Sequence, residues 1–397
     1  MITPPWKTTL LCTALVLSFA SQAQAYAHTF CVINRVVTTD SGIGEDLYAA
    51  NGEVYHHSRY AQVRVKHNGI TVVPMTYANE LGCVSFISPF STGFELEMWS
   101  KARIPRSDQP NQHNFLQVRY SNNNLAKWTF HVDPGPVSGA HAILTPPSRM
   151  ANLLGISSWA LSLNSPGFSG KEITVKDQAC PQFPDNSCHS LGVVSINPIH
   201  VQKKFLIAHE VGHAVAYHYA GNISKNYFEN TGGADCETPA DWTHAMHSKE
   251  YQSAALVEGY AHFYSAATWN NTNHTNGWFH YYKSDYKNGS VVAVDVENGS
   301  AGGSTSYMEN HCTGSDTGYG TELDWMRALW DYLTNSGMKP SHSQILSQLE
   351  RAATGPFWSH PLASQAFLVA IAEFDILNGT LFEPRWHQMA DWNGLLH

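Results

Sequence analysis

None of the seven cysteines in this 397-residue chain stand in a CxxC spacing, basic residues are outnumbered by acidic ones, 23 to 32, and no apolar run beyond residue 25 is long enough to span a bilayer. The missing CxxC removes the usual framework of a structural zinc cluster. The shortage of positive charge, a formal net of −9, argues against nucleic acid or an anionic membrane as the main partner. No internal repeat is present, so repeat architectures are set aside as well.

What is present begins with MITPPWKTTLLCTALVLSFASQAQA, which has a single lysine, an apolar stretch from Leu10 to Ala20, and small residues at Ala23 and Ala25. Residues 1–25 read as a secretory signal peptide; the apolar stretch is short of the ~20 residues that cross a bilayer. Cleavage after Ala25 removes Lys7 and no acid, taking the formal charge from −9 to −10. The expected location is secreted, extracellular or periplasmic, with no membrane contact after signal removal. Cys12 leaves with the signal, and Cys31, Cys83, Cys180, Cys188, Cys236 and Cys312 remain. Six cysteines in an exported chain suggest three disulfides. Cys180 and Cys188 flank a short Pro-containing loop and make the first pair; Cys31 with Cys83 and Cys236 with Cys312 follow by domain.

A chain of this length exceeds what one ordinary core organises and suggests two domains. Residues 26–135 are strand-like. AQVRVKHNGITVV places Asn68-Gly69 between alternating runs, a hairpin signal, and GCVSFI and FELEMWS add further strands. The segment resembles the small prealbumin-like or carboxypeptidase-regulatory β-sandwiches found on secreted enzymes, which implies an accessory, binding or removable domain. Residues 136–397 follow a Pro/Gly-rich bridge and are mostly helical, with helices expected over 150–163, 253–267, 321–335, 343–353 and 364–377. Thr321 and Asp324 stand in capping-box spacing at the start of one of them. The fold class is α+β: an N-terminal β-sandwich-like domain, then a mostly helical domain with a small sheet.

The chemistry lies in FLIAHEVGHAVAYHYAG, from Phe205 to Gly221. On a helix, His209 and His213 stand one turn apart on one face, so both imidazoles reach one ion while Glu210 lies to its side. Phe205, Ala208, Val211 and Val215 give that helix a core face. This HExxH helix resembles that of the zincin metallopeptidases. The resemblance implies Zn2+ as cofactor, a peptide or protein as substrate, internal cleavage, and Glu210 as general base. It also implies an edge strand just ahead of the helix that binds extended substrate, a place that Val193 to Ile196 would take.

Three residues compete to be the third ligand. The metzincin extension is absent, since Ala216 and Tyr219 stand where its glycine and third histidine would fall. DTGYG at Asp316 to Gly320 resembles the DxxYG part of aspzincins, whose aspartate is a ligand. ALVEGYAHFYSAA resembles the second helix of gluzincins, in which a glutamate completes the site; here that is Glu258. His262, one turn later where many gluzincins have an acid, would support a ligand, contact substrate or be the ligand itself. The reading adopted is His209, His213 and Glu258 as ligands. For stabilising the oxyanion, His262 and Tyr319 lead a field that includes Tyr260, His247 and His311. An aspzincin using Asp316, or a secreted binding or adhesion protein with an inert zincin domain, is the alternative.

Overall fold

The structure, a computed structural model, describes residues 25–40, 53–106, 111–133, 140–164, 171–220, 245–246, 248, 252–273, 275–280, 293–296, 299–300, 321–335, 337–354 and 363–396. The first nine described strands are β1 (Tyr26–Val37), β2 (Glu53–His57), β3 (Ala61–His67), β4 (Ile70–Tyr77), β5 (Cys83–Ser88), β6 (Phe94–Pro105), β7 (His113–Tyr120), β8 (Lys127–Val132) and β9 (Ala140–Leu144). Then come α1 (Arg149–Asn164), β10 (Glu172–Asp177), β11 (Cys188–Ser190), β12 (Val193–Ile196), α2 (Lys204–Ala220) and α3 (Gln252–Trp269). A small sheet β13 (Trp278–His280), β14 (Ala293–Asp295) and β15 (Gly299–Ser300) follows, then α4 (Glu322–Thr334), α5 (His342–Thr354), α6 (Ala363–Asn378) and α7 (Glu383–Trp392).

The class is α+β with an N-terminal sheet region. Strand β1 alternates strictly, turning Phe30, Val32, Asn34 and Val36 inward, the period-2 pattern of a half-buried strand. It carries β2 and β5 antiparallel and β9 parallel in a four-stranded sheet. Phe30 and Phe86 of that sheet pack edge-on against Phe94 of β6, at ring-centre distances of 5.7 and 5.5 Å, so two sheets meet face to face. The expected Asn68-Gly69 hairpin joins β3 and β4, with φ of 48° and 80° at those two residues, as a type I′ turn requires. Cys31 and Cys83, opposite one another in the β1–β5 register, are disulfide-bonded, as are Cys180 and Cys188. Cys236 and Cys312 lie outside the described residues.

The larger sheet runs β11-β12-β10-β7-β6-β3-β4, with β8 also on β6. It crosses residue 135, because β7 before it and β10 after it pair in parallel over six residues. The two expected domains are therefore joined along one sheet and share one buried core. One expectation is corrected here. Val193–Ile196 is not an edge: β12 is flanked by β10 on one side and β11 on the other. Leu191 and Gly192, at φ of 49° and 81°, turn the chain so tightly that the three residues before them fold back as the edge strand among the described residues.

Helix α2 starts where Asp40, 164 residues earlier, accepts the backbone N–H groups of Lys204 and Phe205 at 3.1 Å each. These are two of the donors a helix start leaves without intrahelical partners. α3 crosses α2, and Ser265 Oγ donates to the Phe205 carbonyl at 2.7 Å. α4 begins with the expected capping box between Thr321 and Asp324. Among the described residues, no helix is long and apolar enough to cross a membrane.

Candidate metal centre

α2 packs against α1, α5 and strands β11 and β12, and against α3, which brings the turn His209–His213 opposite Glu258. His209 Nε2 and His213 Nε2 are 3.0 Å apart, and Glu258 Oε2 lies 3.1 Å from His213 Nε2 and 3.3 Å from His209 Nε2. Three atoms that carry lone pairs thus converge from two helices, a set that a positive centre stabilises. Ligands at ~2.0–2.1 Å from a tetrahedral ion stand about 3.3–3.4 Å from one another. The observed triangle is within a few tenths of an ångström of three such corners, so the residues fit a metal ion. Among the described residues, His209, His213 and Glu258 form the group able to hold one. The side chain of His209 is 2 % exposed, whereas those of His213 and Glu258 are 11 % and 14 % exposed. His213 and Glu258 are therefore the more exposed members of the three.

The electrostatics divide the two histidines. Burial, with His262 and His213 nearby, pushes His209 well below the ordinary imidazole range despite its bond to Glu258. Burial also disfavours a charged His213, but Glu258, together with the charges of Glu210 and Glu322, outweighs it and lifts His213 to about 9. Glu210 is buried on α2, and its charge reaches His213 without joining the ligand triangle.

His262 is held elsewhere than at the triangle. Its Nε2 bonds Glu322 Oε2 at 2.8 Å, both side chains are buried, and its ring lies 4.4 Å from that of His209. It backs a ligand and is itself backed by an acid at the first turn of α4. Tyr260 is core: its ring stacks near His342, at 6.2 Å, and its hydroxyl is buried. Tyr319, Asp316, His247 and His311 lie outside the described residues.

Two neighbours carry no sequence signal of their own. Glu322 is legible only as an acid in a helix first turn. His189 sits on β11, its ring 6.3 Å from that of His213 and near parallel to it, and 5.5 Å from Tyr217. Burial, with His213 and His218 nearby, lowers its pKa to about 3, so it is neutral. Compared with known proteins, the chain matches no family model and no curated sequence.

Proposed function

We propose that this chain is a secreted zinc metallopeptidase of the gluzincin kind, cleaving extended peptides internally. The observation that carries this reading is the His209–His213–Glu258 triangle beside the buried carboxylate of Glu210. Two imidazole nitrogens and one carboxylate oxygen are a donor set that would suit a catalytic zinc ion. When bound, the ion would supply Lewis-acid polarisation of a carbonyl and acidify a water. Glu258 neutralises part of that positive charge, and the His262–Glu322 pair holds the His209 ring in place. Glu210 takes a proton from the attacking water and delivers it to the amide nitrogen as the C–N bond breaks. The outer side of β11, the sheet edge next to α2, receives the substrate as an added strand. The two disulfides support an oxidising compartment.

Metal analysis of full-length protein purified without chelator, alongside a peptide-cleavage assay, tests this. We expect about one zinc per chain, lost to a strong chelator together with activity. Glu210→Gln should keep the metal while turnover falls by roughly 10²–10⁴-fold, and Glu258→Ala should lose metal affinity. Zinc-free protein, or Glu258→Ala with undiminished affinity, overturns the reading.

A further inference from the structure

The edge strand beside the metal centre carries a histidine whose donor is fixed by the backbone. The Gly192 N–H donates to His189 Nε2 at 2.9 Å. An atom that accepts such a bond carries no proton, so in the neutral ring the proton is on Nδ1 and that atom is the donor. The arrangement is rigid on three sides. Cys188, the preceding residue, is tied to Cys180 by a disulfide. The turn at Leu191-Gly192 is pressed onto α2, where a side chain at Gly192 would come within 2.8 Å of the His218 ring. The His189 ring itself lies against Tyr217 and alongside His213. His189 is partly exposed and stands on β11 itself, the strand a bound peptide would lie along.

We infer that His189 is a substrate-contacting residue whose Nδ1–H donates a hydrogen bond to the carbonyl oxygen of the peptide bond being cleaved. This rests on the peptidase reading and names a residue for which the HExxH pattern has no place. A preorganised neutral donor at that position stabilises the negative charge that develops on the oxygen as water adds to the carbonyl carbon, and it needs no proton transfer of its own.

Two substitutions separate a donor from a mere packing residue. The amide nitrogen of asparagine falls close to where histidine has Nδ1, and that of glutamine close to where it has Nε2. His189→Asn should retain most activity, while His189→Gln and His189→Ala should lose roughly 10²-fold in kcat, with KM and zinc content within about twofold of wild type. A second readout needs no turnover: ¹⁵N NMR of the full chain, with the His189 resonances assigned by difference from His189→Gln, should show the Nδ1–H tautomer. The proposal is overturned if the ring is the Nε2–H tautomer, if His189→Asn and His189→Gln are equally impaired, or if both match wild type. Protein that binds no zinc and cleaves no peptide refutes the peptidase reading and the proposal with it. Protein that binds zinc and is silenced by Glu210→Gln, yet is indifferent at His189, refutes the proposal alone.

Discussion

Gly259 follows the ligand Glu258, and its missing side chain sets how closely α3 meets α4. A Cβ there would collide with Trp325 Cβ and come within 2.7 Å of the Glu322 carbonyl. Gly259→Ala should therefore cost about 1–3 kcal/mol by overpacking, and it should weaken metal binding because Glu258 moves with its helix. Urea denaturation and zinc titration check both effects; wild-type values in both would show that α4 yields freely. A second residue ties stability to pH. Glu97 is buried among Arg64, Lys66 and Lys127, at 2.5, 3.1 and 2.6 Å. Burial would raise its pKa, but the three cations outweigh burial and bring it from 4.5 down to about 2. Because the folded value is the lower one, Glu97 adds stability above about pH 4.5 and loses that contribution as the pH falls towards 2. Glu97→Gln should be less stable than wild type at pH 7, with the gap closing over that window. A gap that stays constant with pH would remove the carboxylate from the explanation. At this scale His209, Glu210 and His213 were legible because helix geometry alone brings i and i+4 together. His189 was not, since its place depends on a hairpin and on α2 packing across it.

Among elements, α2 depends most on a distant residue. Asp40 accepts the first two backbone donors of the metal-bearing helix, so Asp40→Ala should cost about 1 kcal/mol and up to about 2 kcal/mol. Thermal unfolding measures the loss; an unchanged midpoint would mean that water or another group replaces the cap. The other helices were largely readable from local pattern. The Thr321–Asp324 box fixes the start of α4 within one residue of the expected position, since capping chemistry is written in adjacent positions. α7 has no such local signal: it has ten residues, no side-chain cap, and Trp386, Met389 and Ala390 as its buried side, a short pattern that tertiary packing completes. The edge strand is hidden in the sequence for a related reason. Val193–Ile196 is more apolar than Cys188–Ser190 because it is interior, so the stronger strand signal marked the wrong neighbour.

For the whole molecule, the paired cysteines make a chemical prediction. Alkylation of unreduced, denatured protein should label none of Cys31, Cys83, Cys180 and Cys188, and a non-reducing peptide map should recover both links; a free thiol among the four would contradict the pairing. The sheet that crosses residue 135 also has a kinetic meaning. β1 waits for β9, more than a hundred residues on; β7 waits for β10; and Asp40 waits for α2. Such long-range closures make folding slow. During synthesis β1 and β7 each emerge well before β9 and β10, the strands that complete their parallel pairings. The cap that Asp40 gives the metal-bearing helix can form only once more than two hundred residues have been made, so the helix that carries His209 and His213 is among the later parts of the fold to be anchored.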